Sequence, residues 1–347
     1  MRVHPFFSNL LPEGRMREYL AERNNVYAER ELFLLRALGE DLPGAVVVKA
    51  AQEDLPTDDY LGVREGEGIY ASQTLKFSLA GVQLKFSAVQ KARGGLTIPA
   101  YGRGGSWIIK LPSERFEAAP ENEYAMMRVA ARAGFDVPPI ELVSLASVEG
   151  LSAGMRKDGQ GFAIRRFDRD AHGRRIHIED FAQVFGLWPR SKYDKASNAN
   201  IARVIWDEIG PEGLRDLIAR LVFNAAIGNG DMHVKNWSLI YPDGRTPQLA
   251  PAYDYLSTLT YVSAQEGMAL SLAGTKSFQA LLEDLLAQFA KKGGWPVDLV
   301  LSSAREAVQR TLDAWSDMRS ELGIPDYMGD AIERHMRTVP IVADAFT

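Results

Sequence analysis

The chain has 347 residues, 46% of them hydrophobic, with a formal charge of -5 and a pI near 5.7. That length is enough for a substantial core and favours two lobes over one compact domain, while the acidic balance gives no whole-chain electrostatic footprint for nucleic acid, so DNA contact is expected only through a partner. Cysteine is absent, which removes disulfides, Cys-ligated zinc and thiol nucleophiles together and suits a reducing cytoplasm.

The N-terminal stretch MRVHPFFSNLLPEGRMREYL carries charges where a signal peptide needs an apolar run. No later segment holds the roughly 18 uninterrupted apolar residues of a spanning helix, so a protein that is neither exported nor integral to a membrane is expected. Up to about residue 170, short apolar runs alternate with Gly, Pro and charged turns: GAVVVKA (44–50), SWIIKLP (106–112) and GFAIRRFDR (161–169). That pattern predicts a strand-rich lobe. One long helix interrupts it, from Glu121 to Ala133 in ENEYAMMRVAARAGFDVPP, with Gly134 as its stop and Pro138 beyond. The glycine-rich GGLTIPAYGRGGS (94–106) reads as a hairpin loop rather than a linker. After residue 177 apolar residues recur at helical spacing in IEDFAQVFGL, NIARVIWDEIG, EGLRDLIARLVFNAAIG, SFQALLEDLLAQFAKKG, LVLSSAREAVQRTLDAWSDMRSEL and YMGDAIERHMRTVPIVADAF. The expected architecture is α+β and bilobal, with a mixed lobe over 1–166 and a mostly helical lobe over 167–347.

The chemistry concentrates in IGNGDMHVKNWSLIY, residues 227–241. Asp231 is followed five positions later by Asn236, the spacing of a kinase catalytic loop, in which the Asp accepts the proton of the attacking hydroxyl and the Asn holds magnesium. A second acidic ligand should follow the next strand, and Asp254 in LAPAYDYLST fills that place. Phosphoryl transfer depends on positioning and charge neutralisation, which explains polar groups crowded at one loop. Upstream, Lys110 in SWIIKLP is the candidate lysine for nucleotide phosphates, and SLAGVQLKFS (78–87) is a small-residue turn between strand-like flanks. Neither a GxGxxG loop nor a GxxxxGK[ST] sequence is present. These residues alone leave open a kinase of small molecules or lipids, and a catalytically silent scaffold that keeps the kinase residues for nucleotide binding alone.

In order along the chain, SLAGVQLK, WIIKLPS, ENEYAMMRVAARAGFDVP, RRFDR, EDFAQVFGL, IGNGDMHVKN and PAYDYLS resemble the HipA-like serine/threonine kinase toxins of bacterial type II toxin–antitoxin systems, over roughly residues 5 to 260. The resemblance implies a bilobal, protein-kinase-like HipA fold that uses ATP and Mg2+. It also implies Asp231 as catalytic base, Asn236 and Asp254 as magnesium ligands, and Lys110 on the ATP phosphates. Arg165 to Phe167 would form the adenine hinge with Asp168 as a polar contact, and the turn Ala80-Gly81-Val82-Gln83 would cover the phosphates. His233 and Lys235 would join the nucleotide-contacting set, although His233 by itself reads as a loop histidine bonded to backbone. Glu123 is a candidate partner of Lys110 or a first-turn glutamate favoured by the helix dipole. Ser78 resembles the family's autophosphorylation serine, whose modification would place a dianion where ATP phosphates sit and displace the turn.

The implied substrate is a host protein, an aminoacyl-tRNA synthetase in the family, and the implied partner is a helix-turn-helix HipB-like antitoxin that alone touches DNA. Long members carry a strand-rich segment before the block that HPFFSNLLPEGRMREYL resembles. In this respect, and in RRFDRD, the chain is similar to the short HipT-like kinases, which implies a small HipS-like companion. It departs from them in having Ala80 where they show a second serine, leaving Ser78 as the switch at that site.

Overall fold

A computed structural model of the chain describes residues 2–49, 51, 84–91, 95–98, 105–151, 155–262 and 267–346. Two compact units interleave along it: Met1–Pro120 with Glu141–Ile178 and Ala182–Pro189, and Glu121–Ile140 with Glu179–Phe181 and Arg190–Thr347. Ser78, Ala80, Gly81, Val82 and Gln83, expected as the phosphate-covering turn, lie outside the described residues.

The first unit begins with helices where the sequence reading foresaw strands. These are α1 (Pro5–Asn9), α2 (Gly14–Arg23) and α3 (Glu31–Leu38). Pro5 opens α1 in the position where its missing N–H costs nothing, and the His4 imidazole accepts from the Phe6 N–H. The helices enclose an apolar cluster of Leu10, Leu11, Ala21, Val26, Leu34, Leu35 and Leu42. Glu31, buried at the start of α3, accepts from the Val3 N–H (3.0 Å), Ser8 Oγ (2.8 Å) and Arg17 Nη2 (3.1 Å). Burial opposes its charge, but those donors outweigh it and hold the carboxyl below its ordinary value. Residues 44–49 of GAVVVKA are not a strand: Val46 and Val48 pack on the same cluster, and the Val48 N–H bonds Gly39 O at 2.9 Å. Packing has overridden β-propensity there.

The sheet of this unit consists of β1 (Lys85–Gln90), β2 (Leu96–Thr97), β3 (Trp107–Lys110), β4 (Ile140–Ser144) and β5 (Gln160–Arg165), in the order β2-β1-β3-β5-β4. β1 pairs antiparallel with β2, so Leu96–Thr97 of GGLTIPAYGRGGS form a strand, while residues 94 and 99–104 of that stretch lie outside the described residues. In β3, Lys110 stands opposite Lys85 of β1 and Phe162 of β5. Phe86, Trp107, Ile109, Leu145 and Ala163 form the core beneath.

The expected long helix is α4 (Ala119–Arg132), nearly all of which belongs to the second unit although it lies inside the 1–166 span. Gly134 stops it in a left-handed conformation (φ +86°), and the Phe135 N–H reaches back to Ala130 O at 3.1 Å. IEDFAQVFGL is not one helix; it forms β6 (His177–Asp180) and the short α5 (Phe181–Val184). The Phe181 N–H bonds Trp237 O at 3.0 Å, which draws the start of that segment into sheet pairing. Then come α6 (Asn198–Glu208), α7 (Pro211–Ala226), β7 (Ser238–Tyr241), β8 (Gln248–Leu249), α8 (Glu283–Gly293), α9 (Val297–Met318), α10 (Asp326–Met336) and α11 (Pro340–Ala343). Pro340 ends the helical run predicted through YMGDAIERHMRTVPIVADAF, because it has no N–H to give to a continuing helix. Almost every residue of α7 from Leu214 onward is buried, and it packs along α9 as the central helix of the unit. No helix among the described residues is long and apolar enough to cross a membrane.

Candidate active site

The second unit carries the loop that sequence spacing singled out. Helix α7 delivers the chain to Gly228, whose φ of +67° suits glycine and whose added Cβ would lie 2.5 Å from the Leu259 side chain. The turn that follows is fastened from two sides. Asn229 donates to Asn224 Oδ1 (2.8 Å) at the end of α7 and accepts from the Asp231 N–H (3.0 Å). Thr258 Oγ1 donates to Gly228 O and accepts from the Gly230 N–H, both at 3.0 Å. A turn crossed by so many side-chain bonds holds Asp231 at a fixed point of the backbone.

Beyond Asp231 the chain makes one tight turn. The Asp231 carbonyl accepts from the His233 N–H (2.8 Å) and from Asn236 Nδ2 (2.9 Å), and the Asn236 N–H bonds His233 O at 2.9 Å. Because Asn236 uses its amide nitrogen on that carbonyl, its Oδ1 is turned the other way, as an oxygen ligand must be. His233 is buried and its ring meets Tyr193 edge-on with centroids 5.0 Å apart, so it packs the loop rather than forming part of a metal cluster. Lys235 offers its carbonyl to Tyr253 Oη at 3.0 Å.

Asp254 follows β8 in a left-handed conformation (φ +58°), uncommon for a residue with a side chain. Its carbonyl accepts from Asn229 Nδ2 at 3.4 Å, so one asparagine links the Asp231 turn to the Asp254 segment. Its neighbour Tyr253 is half-buried and shares a 2.6 Å bond with Ser238 Oγ. Burial pushes the Tyr253 phenol well above its ordinary value; the Ser238 bond opposes this, and the carboxylates of Asp180 and Asp254 add to it. On its other side the segment is gripped by helix α4. Asn122 Nδ2 donates to Ser257 O (2.8 Å) and Asn122 Oδ1 accepts from the Ser257 N–H (3.0 Å).

Asp231, His233, Lys235, Asn236 and Asp254 are thus brought onto two cross-linked segments of one unit. Among the described residues no group of three or more His, Asp or Glu side chains could hold a metal. One Asn oxygen and one carboxylate instead suit a divalent ion that completes its shell with water and phosphate oxygens, as Mg2+ does. Sequence reasoning missed Asn122, Asn229, Tyr253 and Thr258, which hold these segments; all but Asn122 flank the motifs within a few residues, and no spacing rule marks Asn122.

In the first unit, Lys110 is buried, with its Nζ 5.7 Å from the Phe162 ring centroid. Arg165 ends β5, and Phe167 follows half-buried. Asp168 is engaged inward. Its Oδ1 accepts from Arg166 Nε (2.9 Å), and its Oδ2 from Arg166 Nη2 (2.8 Å), Arg169 Nη1 (2.9 Å) and the Gly44 N–H (2.7 Å). Asp41 closes the cluster with bonds from Arg166 (3.0 Å) and Arg169 (3.2 Å). Burial disfavours the Asp168 carboxylate, but the Arg166 hydrogen bond and the charges of both arginines hold its pKa below the ordinary value. The arginine-rich motif therefore ties the segment after β5 to residues 41–44, which follow the N-terminal helices. Glu123 is buried near the start of α4, in the second unit.

Comparison with known proteins agrees with this picture. The model of the HipA-like C-terminal domain matches residues 77–318, and that of the HipA N-terminal domain matches residues 1–49. The chain is 50% identical to "Putative kinase Y4dM" of Sinorhizobium fredii, covering 98% of this chain and 83% of that protein. It is 24% identical to the serine/threonine-protein kinase toxin HipA of Shewanella oneidensis, over 91% of this chain and 77% of that protein. The structure of the Shewanella oneidensis HipA, HipB and operator DNA complex superposes with a TM-score of 0.72 at 20% identity, covering 98% of this chain and 84% of the matched chain, which shows the expected α+β HipA-like fold. With one family model spanning most of its length and a second its N-terminus, the chain belongs to the HipA-like kinase family.

Proposed function

We propose that this protein is an ATP- and Mg2+-dependent serine/threonine kinase that acts as the toxin of a type II toxin–antitoxin pair. The observation that carries the reading is the cross-linked pair of segments holding Asp231, Asn236 and Asp254, with the Asn236 amide oriented by its bond to the Asp231 carbonyl (2.9 Å). Asp231 accepts the proton of a serine or threonine hydroxyl on a host protein, an aminoacyl-tRNA synthetase by family resemblance, and translation is inhibited as a result. Asn236 Oδ1 and the Asp254 carboxylate hold the cation, and Lys110 binds ATP phosphate oxygens. Bound Mg2+ supplies neutralisation of the charge on the phosphate oxygens. Arg165 and Phe167 line the adenine side, His233 and Lys235 steady the loop, and Ala80 to Gln83 cover the phosphates. Phosphorylation of Ser78 displaces that turn and switches the kinase off.

The partner is a helix-turn-helix HipB-like antitoxin that carries the DNA contacts, a reading supported by the family match and by the HipA, HipB and operator complex of the Shewanella relative. The HipT-like sequence RRFDRD extends it to a small HipS-like companion. The test is phosphate transfer from labelled ATP to proteins of a translation extract, together with growth on expression. The wild-type chain should label a protein band on serine or threonine and arrest growth; Asp231→Asn should lose at least about 100-fold of the transfer. Labelling of a metabolite alone, or full toxicity of Asp231→Asn, overturns the reading.

A further inference from the structure

The segment between α5 and α6 reaches the Asp231 loop. Tyr193 Oη donates to Asp231 Oδ1 at 2.6 Å, within the short range of a hydroxyl bonded to a carboxylate. Several contacts place the phenol there. Its ring stands edge-on to the buried His233 ring at 5.0 Å, and Lys192 Nζ lies 5.4 Å from its centroid. Lys276 Nζ bonds its carbonyl at 3.2 Å, and the neighbouring Lys192 carbonyl accepts the Val234 N–H at 3.5 Å. Tyr193 is therefore tied to the same loop whose carboxylate it contacts, while its side chain stays over a third exposed.

A hydroxyl donating to the catalytic carboxylate is the arrangement that the phosphate acceptor itself must adopt. We infer that Tyr193 is an acceptor-selecting residue: its phenol holds the acceptor position on Asp231 against water, and yields it to a protein hydroxyl. This rests on the proposed role of Asp231 as base. A kinase with a solvated base hydrolyses ATP, because water delivers a proton to the carboxylate, its oxygen bonds to the γ-phosphorus, and the bond to ADP breaks. Water brings no other contacts with which to displace a braced phenol. A serine or threonine on a protein surface does, since binding energy elsewhere on the substrate offsets the cost of moving Tyr193 aside. The phenol is not itself consumed, and it remains a positioning group rather than a reactant.

The test is ATP hydrolysis by the full-length chain with Mg2+ and no protein substrate, which uses water as the acceptor. Tyr193→Phe keeps the ring against His233 and removes only the hydroxyl. It should raise hydrolysis roughly tenfold, the equivalent of one charge-assisted hydrogen bond, and the gain should vanish in Tyr193→Phe/Asp231→Asn. A Tyr193 that served only to support the loop would lower hydrolysis instead. Asp231-dependent hydrolysis that stays level or falls in Tyr193→Phe overturns this inference while leaving the kinase reading intact. Absence of Asp231-dependent turnover in both proteins overturns the two together. Melting curves show whether Tyr193→Phe is folded; if it is not, Tyr193→Leu, which opens the same oxygen, decides by the same measurement.

Discussion

Asn122 and Ser257 are joined by two hydrogen bonds across 135 residues of chain, amide to backbone in both directions, with no exposure of the asparagine. The pairing imitates one rung of a sheet, with a helix side chain in place of the second strand. It fixes the segment that begins at Asp254 and continues through Thr258, so α4 supports the proposed cation site by holding its backbone. Asn122→Ala leaves a buried N–H and a buried C=O unmade and is expected to cost about 2 kcal/mol or more. Asn122→Asp keeps an acceptor for the Ser257 N–H but sets a carboxylate against the Ser257 carbonyl. At neutral pH it should therefore destabilise as much as the alanine variant. Thermal melting of both variants checks this: an Asp variant as stable as wild type refutes it.

The cluster of Arg166, Arg169, Asp41 and Asp168 is neutral as a set, and each member's side chain is at most 7% exposed. Removing one anion leaves a cation uncompensated in the interior. Asp168→Ala is expected to cost about 3–5 kcal/mol, the usual range for breaking a buried pair. Asp41→Ala should cost less, since Asp168 would still contact both arginines. The pKa of Asp168 is lowered in the folded state, so its contribution is complete above the unfolded value of about 3.9 and is lost as pH falls through the folded value. Chemical denaturation of the two variants at pH 7 should rank them in that order, and equal losses would count against the assignment of Asp168 as the centre.

How much of this was legible from sequence depends on distance along the chain. Asp231 and Asn236 announce themselves because one turn places them, and a turn leaves a spacing in the sequence. Asp254 follows by the logic of a second ligand after one hairpin. Tyr193 left no such trace, since its bond to Asp231 spans 38 residues and the segment around it, PRSKYDK, reads as a polar surface loop. The Asn122 clamp is equally silent, because an asparagine in the first turn of a helix is ordinarily a cap or a solvated side chain. Misreadings of secondary structure have a common cause. Pro5, Pro12, Gly14 and Gly39 punctuate the N-terminal helices so closely that they resemble the turns of a strand-rich lobe, and GAVVVKA has strand composition but no strand beside it among the described residues.

Gly228 gives a local prediction. Its backbone is left-handed and an added methyl would fall 2.5 Å from Leu259, so Gly228→Ala meets both a conformational penalty and a clash. The strain alone is about 1 kcal/mol or more. The Gly228 carbonyl also accepts from Thr258, so relief by rotating the peptide would break the bonds that hold the Asp231 turn. Gly228→Ala is expected to lose transfer activity by a larger factor than Gly244→Ala, where φ is +76° but the Cβ meets nothing. Parallel assays of the two variants with labelled ATP check the difference.

His335 supplies a pH dependence from a different part of the second unit. In α10, its Nε2 lies 2.9 Å from the Ala225 carbonyl at the end of α7, and its ring packs edge-on to Phe278 with centroids 5.0 Å apart. Burial lowers its pKa; the bond to Ala225 O acts in the opposite sense and does not cancel it. The unfolded chain then binds a proton near the ordinary histidine value of about 6.5, before the folded chain does. Stability from this group is complete above that value and declines as pH falls below it, the sign expected when the unfolded state holds more protons. The melting temperature of the wild type should drop between pH 7.5 and 5.5, roughly the window around the unfolded histidine value. In His335→Gln the melting temperature should start lower, since the packing on Phe278 is lost, yet change less over the same interval. A variant with the wild-type slope would assign the pH dependence to other groups.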